Sequence, residues 1–213
     1  MKKILTIILG VVVLLVVILG VLVLVTPGDF AVEREIVISK PKAEVFAYLK
    51  LVKNQNVWSP WVKKDPKIKQ TFEGIDGTEG FVYKWESDHP DVGAGEQEIK
   101  KITDGDRIDV ELRFKKPFES VSPAYFVTEA VGDDKTKVRW GFSGSIPKPW
   151  NIMNIFWDID AAAGKEFEAG LADLKIEMEK QVAAEPPSSE GDSDAEKDAK
   201  SESETKTADD AKK

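Results

Sequence analysis

Three polar side chains in the middle of the sequence are candidates for acid–base chemistry. His89 is the only histidine, and it stands in an Asp-His-Pro-Asp string. An imidazole titrates near neutral pH, so it could give a proton to a substrate or take one from it. Together with Glu96 or Tyr83, such a group could serve a cyclase, a dehydratase or a hydrolase. The alternative is a loop histidine that is exposed to solvent and has no catalytic role.

Other catalytic and metal-binding patterns are absent from the sequence. It contains no Gly-x-Ser-x-Gly string, no phosphate-binding P-loop and no dinucleotide-binding glycine motif after a strand. One histidine without any cysteine leaves only carboxylates for a metal, and no ligand spacing is visible among them. We therefore expect neither a metal nor a cofactor.

Aromatic side chains are a stronger indication of function. Six of them lie on predicted strands or at short helical turns, where they could form the wall of an apolar ligand site: Trp58, Trp61, Tyr83, Trp85, Trp140 and Phe142. For each one the alternative is ordinary packing in the core. Arg34 interrupts an apolar strand face, so it could bind a ligand carboxylate or pair with an internal acid such as Glu96 or Asp109; an exposed position is the other alternative.

The elements that position these residues follow from hydrophobic periodicity. Alternation predicts a first strand over residues 30–39, and a short helix is expected from Pro41 to about Lys50. About six further strands follow, and the one over residues 95–102 loses its alternation near Lys100, which indicates a bulge. In a long C-terminal helix, apolar residues recur at intervals of four, three and four: Phe167, Leu171, Leu174 and Met178.

This order of elements predicts an α+β helix-grip fold. Consecutive antiparallel hairpins followed by one amphipathic helix indicate a curved antiparallel sheet that wraps around the long C-terminal helix. One helix cannot easily fill the interior of such a sheet. We therefore expect an apolar cavity between the two.

Several short strings occur along the chain in a fixed order. They are Val-Glu-Arg-Glu-Ile-Val-Ile-Ser-Lys-Pro (32–41), Glu-Val-Phe-Ala-Tyr-Leu (44–49), Trp-Ser-Pro-Trp (58–61), Gly-Ala-Gly (93–95), Thr-Lys-Val-Arg-Trp (136–140) and Phe-Glu-Ala-Gly-Leu-Ala-Asp-Leu-Lys (167–175). In this order they resemble the START/Bet v 1-like (SRPBCC) superfamily, and within it the bacterial polyketide cyclase/dehydrase and lipid-transport group. The resemblance covers about residues 30–180 and implies a helix-grip cavity. It does not name a ligand, because the group binds and converts many unrelated apolar molecules.

The N-terminus predicts a membrane anchor. Residues 4–25 form an uncharged run rich in Ile, Leu and Val, which as a helix would span roughly 33 Å, enough for a hydrocarbon core of about 30 Å. The run is longer than the apolar region of a cleaved signal peptide, and no Ala-x-Ala site follows it. Lys2 and Lys3 precede the run while Asp29 and Glu33 follow it. The positive-inside rule then places residues 1–3 in the cytoplasm and the domain outside it, in the periplasm or extracellular space.

The rest of the chain is expected to contain one domain and a tail. We predict a START/Bet v 1-like domain over residues 28–181 and a disordered acidic tail over residues 182–213, because the tail is almost free of large apolar residues. Of the net charge of −8, the tail (10 acidic and 5 basic residues) and the two N-terminal lysines leave −5 for the predicted domain. A mildly acidic domain gives no electrostatic indication of nucleic-acid binding. We expect no nucleic-acid partner, and the sequence does not point to a particular protein partner.

Three hypotheses about function follow. The first is a membrane-anchored module that binds a hydrophobic, lipid-like or aromatic small molecule in the cavity. The second is an enzyme of cyclase, dehydratase or hydrolase type that uses polar cavity residues. The third is a structural or stress-response protein that binds another protein through an exposed apolar patch outside the cavity mouth.

Overall fold

The computed structural model describes residues 2–180, and the predicted acidic tail lies outside them. Helix α1 (Lys2–Val25) precedes the domain, which consists of short helices, seven strands and one long helix. In chain order these are β1 (Asp29–Ile38), α2 (Lys42–Lys50), a 3-10 turn (Val52–Asn54), α3 (Gln55–Trp58), α4 (Pro60–Lys64), β2 (Lys69–Glu73), β3 (Val82–Glu86), β4 (Ala94–Thr103), β5 (Arg107–Lys116), β6 (Ser120–Ala130), β7 (Thr136–Ser145), a second 3-10 helix (Trp150–Ile155) and α5 (Ile159–Lys180).

The strands form one open antiparallel sheet. Their order is β1-β7-β6-β5-β4-β3-β2, so the first strand pairs with the last and the six later strands follow as hairpins. This arrangement confirms the predicted curved antiparallel sheet. The pairing of β4 with β5 shifts between Ile99 and Lys101, which confirms the bulge predicted near Lys100.

One end of this sheet positions the features that matter for function. Asp29 pairs with Ser145, Lys116 pairs with Ala94, and Ala94 also pairs with Glu86. The start of β1 therefore lies at the same end as the loop over residues 87–93 and the turn over residues 117–119. We call this the α1 end, because α1 joins the sheet there.

Helix α5 packs against the inner face of the sheet, chiefly along β1. Its four predicted inward-facing residues, Phe167, Leu171, Leu174 and Met178, are all buried, so the predicted amphipathic helix is confirmed. They join a core to which α2 contributes Val45, Phe46 and Leu49.

Helix α1 is long and apolar enough to cross a membrane, and none of its residues is buried in the protein. By length and composition alone, a signal sequence near an N-terminus meets the same criterion. The last turn of α1 contacts the domain through hydrogen bonds to backbone carbonyls. The Asn151 amide nitrogen donates to Val23 at 2.8 Å and to Thr26 at 2.6 Å.

Candidate ligand-binding cavity

A cavity of about 300 Å³ lies between the sheet, α5 and the α3–α4 region. Most of its wall is apolar and much of it is aromatic. Strands β3, β5, β6 and β7 together with α5 supply Tyr83, Trp85, Val110, Leu112, Phe114, Ala124, Phe126, Trp140, Phe142, Ala163 and Phe167. Polar lining side chains are few: Gln55, Ser59, Asp91, Gln97 and Lys116. An apolar wall with a few polar groups is the typical composition of a site for a hydrophobic molecule.

The cavity opens at the α1 end of the sheet. Four of its lining residues are exposed to solvent, namely Pro90, Asp91, Lys116 and Pro117. Pro90 and Asp91 belong to the loop over residues 87–93, whereas Lys116 and Pro117 lie at the end of β5 and in the following turn. Both positions are at the end where α1 joins the domain.

Five of the six aromatic residues singled out from the sequence line the cavity: Trp61, Tyr83, Trp85, Trp140 and Phe142. Trp58 does not. It is 1% exposed and lies edge-on behind Trp140, with the two ring centroids 5.3 Å apart. The structure therefore places Trp58 in the core, where it supports the cavity wall from behind.

Trp85 owes its position to a glycine on the neighbouring strand. Gly95 pairs with Trp85, and a Cβ at residue 95 would lie 2.6 Å from the indole Cζ2, which is too close for any real contact. The indole N–H donates to the Val92 carbonyl at 3.2 Å. This bond connects the cavity wall to the loop at the mouth.

Arg34 lies outside the cavity lining. Its guanidinium bonds Asp160 at 2.9 Å and Glu168 at 2.8 Å, both on α5, instead of the suggested Glu96 or Asp109. The hydrogen bond from Arg34 holds the pKa of the Asp160 carboxyl below its usual value. Room for the guanidinium exists because residue 164 is glycine, where a Cβ would lie 2.0 Å from Nη2. These ion pairs connect Arg34 on β1 to α5.

The three candidates for acid–base chemistry do not converge. His89 is half-buried in the loop, where its Nδ1 accepts a hydrogen bond from the Asp91 N–H at 3.2 Å, and it does not line the cavity. Glu96 also lies outside the lining, bonded to Arg113 at 2.6 Å and to Lys115 at 3.2 Å. The bond from Arg113 lowers the pKa of Glu96. Of the three, only Tyr83 lines the cavity.

Tyr83 is suited to donate a hydrogen bond in the cavity. It is 8% exposed, and burial raises the pKa of its phenol to about 12. Because the charged form is disfavoured by desolvation, the hydroxyl keeps its proton at neutral pH. It can therefore act as a neutral donor but is poorly suited to act as a base.

Gln97 is a buried polar residue of the cavity wall that no sequence pattern indicated. It stands between Tyr83 on β3 and Leu112 on β5 and is 8% exposed. Among residues 2–180, four buried side-chain nitrogen or oxygen atoms have no hydrogen-bond partner. Gln97 Nε2 is the one whose residue lines this cavity. An unpaired buried amide costs about 1–3 kcal/mol, so an acceptor atom on a ligand would be favoured there.

Within residues 2–180 no cluster of His, Asp or Glu side chains is arranged to hold a metal ion. The polar groups of the cavity are two amides, Gln55 and Gln97, the hydroxyls of Ser59 and Tyr83, and, at the mouth, the Asp91 carboxylate and the Lys116 ammonium. These can position and hydrogen-bond a molecule. They do not form a nucleophile–base pair.

The protein resembles known proteins at the level of the fold. No protein-family model matches the sequence, and no match is found among curated proteins. Solved structures do match. An aromatase/cyclase from Streptomyces sp. R1128 is 15% identical with a TM-score of 0.54, over 73% of this chain and 97% of its own.

Two further structures give the same result. A truncated norcoclaurine synthase from Thalictrum flavum is 11% identical with a TM-score of 0.54, over 76% of this chain and 98% of its own. A protein of unknown function from Staphylococcus aureus is 12% identical with a TM-score of 0.57, over 75% of this chain and 99% of its own. At such identities the likeness concerns the fold and not the activity. The open antiparallel sheet, the long C-terminal helix and these neighbours establish that the chain has the START/Bet v 1-like helix-grip fold.

Proposed function

We propose that this protein is a membrane-anchored module that binds a hydrophobic small molecule, either lipid-like or aromatic, in its helix-grip cavity. The observation that carries the proposal is the cavity itself: about 300 Å³, walled by aromatic and aliphatic side chains, with one buried unpaired amide. Such a site favours a ligand that is mostly apolar and carries an oxygen acceptor within reach of Gln97.

An enzymatic role is less well supported. Two of the fold neighbours are an aromatase/cyclase and a synthase by name, but fold alone does not carry activity to another chain. Acid–base catalysis needs a donor and an acceptor within reach of one substrate. Here His89 and Glu96 both lie outside the cavity lining, and the phenol of Tyr83 keeps its proton.

The anchoring part of the proposal rests on α1. We infer that this helix is retained and spans the membrane, with residues 1–3 in the cytoplasm and the domain on the other side. Its last turn is bound by domain side chains, since Asn151 and Lys148 donate to carbonyls of residues 23–26. Contacts of this kind favour a helix that remains part of the folded protein over one that is removed.

The test compares a cavity-filling variant with a matched control. Ala124 is 3% exposed and lines the cavity, so Ala124→Phe should fill much of the space. Val127 lies on the same strand three residues further on, outside the lining. Val127→Phe therefore adds the same kind of side chain without entering the cavity.

The full chain is extracted from its membrane with a mild detergent and analysed by native mass spectrometry. We expect a bound apolar molecule on the wild type and on Val127→Phe, and its loss from Ala124→Phe. The proposal fails if the wild type carries none, or if Ala124→Phe carries the same molecule at the same occupancy while it remains folded.

A further inference from the structure

A cluster of large apolar side chains is exposed on the segment between β7 and α5. Trp150 is 65% exposed, Phe156 80% and Trp157 62%. We call residues 150–157 the aromatic segment. Phe118, in the turn over residues 117–119, is 81% exposed. None of these four side chains belongs to the hydrophobic core or lines the cavity.

The aromatic segment is attached to the last turn of α1. Asn151 is fully buried and donates to the carbonyls of Val23 and Thr26. Asn154 donates to the Pro27 carbonyl at 3.1 Å. The final carbonyls of a helix have no partner within the helix. Asn151 satisfies one of these carbonyls, that of Val23. Together with Asn154 it holds the aromatic segment at the depth where α1 ends.

That depth follows from the length of the helix. The 24 residues of α1 extend about 36 Å at about 1.5 Å per residue, whereas the hydrocarbon core of a bilayer is about 30 Å thick. If α1 spans the membrane, its last turn emerges among the lipid headgroups. Side chains that bind the carbonyls of residues 23–27 must then lie at the same level. Tryptophan is enriched at this level in membrane proteins, because its ring is apolar and its N–H is polar.

The mouth of the cavity lies on the same side of the domain. Phe118 follows Lys116 and Pro117, which line the mouth, and the aromatic segment follows β7, whose last residue pairs with the first of β1. We infer that the aromatic segment and Phe118 form a lipid-contacting surface, which seats the α1 end of the domain in the headgroup layer and turns the cavity mouth toward the bilayer. This inference rests on the membrane-anchoring part of the proposed function.

The chain contains no cysteine, which allows single-cysteine labelling without background changes. A nitroxide is attached to Phe156→Cys in the aromatic segment, to Val13→Cys in the middle of α1, and to Asp133→Cys in the turn between β6 and β7. That turn is exposed and lies at the opposite end of the sheet. Each full-length variant is reconstituted in vesicles of phosphatidylethanolamine and phosphatidylglycerol. Collisions with oxygen, which concentrates in lipid, and with a water-soluble nickel chelate report the depth of the label.

We expect the label at position 13 to lie deep in the bilayer, the label at 156 at headgroup depth, and the label at 133 in water. A label at 156 that behaves like the one at 133, while 13 stays deep, would overturn the inference and leave the anchor intact. A label at 156 shielded from both reagents would also overturn it, because the surface would then be covered by protein. A label at 13 in water would overturn the anchor together with the inference. Ile155→Cys, in the same segment, repeats the measurement should Phe156→Cys disturb folding.

Discussion

The rings of Trp140 and Phe167 lie face to face, with their centroids 4.1 Å apart and their planes 5° from parallel. The pair joins β7 to α5 and at the same time lines the cavity. Trp61 meets Trp140 edge-on at 5.8 Å. The same rings therefore stabilise the domain and form the ligand wall, so core packing and ligand contact are not alternatives at these positions.

Truncation of Phe167 should destabilise the domain strongly. The side chain is 4% exposed and stacks on Trp140, and replacing a buried phenylalanine with alanine typically lowers the free energy of unfolding by about 3–5 kcal/mol. Chemical denaturation of the full chain in detergent measures this change for Phe167→Ala, with Phe167→Leu as the milder control. A loss below about 1 kcal/mol for the alanine variant would contradict the packing described.

Replacing Gln97 with leucine should separate stability from ligand binding. The Nε2 atom is buried without a partner, so its removal should leave the free energy of unfolding unchanged or raise it by up to about 1–3 kcal/mol. Occupancy by the native ligand should fall, because the acceptor on the ligand loses its donor. Gln70→Leu on β2, outside the cavity lining, is the matched control. Equal occupancy in both variants would remove Gln97 from the site.

Alkaline titration should detect the buried phenol. The chain has three tyrosines. The pKa of Tyr83 is raised by burial from 10.0 to about 12, and the pKa values of Tyr48 and Tyr125 are raised as well. Because the folded state favours the neutral phenol, the contribution of Tyr83 to stability is complete below pH 10 and is lost as the pH rises toward 12.

Ultraviolet absorbance of the phenolate measures this titration directly. Tyr83→Phe should remove the component near pH 12, and a bound apolar ligand should move that component higher still. If the titration step that Tyr83→Phe removes had the ordinary phenol pKa of 10.0, the Tyr83 hydroxyl would be in contact with water. The cavity would then be hydrated at that point.

Arg34→Met should leave ligand binding unchanged, because Arg34 does not line the cavity. Its effect should appear in the acid limb of stability. Arg34 lowers the pKa of Asp160 below 3.8, so in the wild type the pair stabilises the folded state above that pH and loses its effect as the pH falls through the lowered value. The difference in unfolding free energy between wild type and variant should therefore be constant near neutral pH and shrink in acid. Reduced ligand occupancy in Arg34→Met would instead support a direct contact with ligand.

Gly95→Ala should alter the cavity wall at one defined point. The added Cβ would lie 2.6 Å from the Trp85 ring and 2.7 Å from the Arg113 carbonyl oxygen, so the indole has to move. We expect lower stability and a changed emission of the tryptophan fluorescence. Gly105→Ala, in the turn after β4 where a Cβ meets no atom within 4 Å, serves as a comparison for the loss of a glycine. Gly105 has a positive φ of 74°, so its replacement by alanine also lowers stability through backbone strain. A larger loss of stability in Gly95→Ala than in Gly105→Ala would therefore show the effect of the clash with Trp85.

The sequence was informative wherever local periodicity determines structure. The spacing of Phe167, Leu171, Leu174 and Met178 predicted the buried face of α5, and the slip near Lys100 predicted the bulge. Alternation also predicted the strands that carry four aromatic residues of the cavity wall, Tyr83, Trp85, Trp140 and Phe142. Such features depend on residues close in sequence. The period of a helix or strand determines which of these residues share a face.

The features that the sequence did not reveal depend on contacts between distant parts of the chain. Arg34 meets Asp160, 126 residues away, and Asn151 meets Val23, 128 residues away. Neither pairing leaves a local pattern. Gln97 was missed for a different reason, because a glutamine on a strand normally faces water and the nearby bulge obscured which face it takes. Its inward position follows only from pairing with Tyr83 and Leu112.

The most direct test of a ligand in the cavity is to capture the ligand in the membrane. A photoreactive diazirine analogue of leucine replaces Leu112, which lines the cavity beside Gln97, and in a parallel chain it replaces Leu51, which is 39% exposed and outside the lining. Intact cells are irradiated, and the mass of each purified protein is measured. We expect an apolar small-molecule adduct at residue 112 that is absent at residue 51. No adduct at residue 112, or the same adduct at both positions, would contradict ligand binding in the cavity.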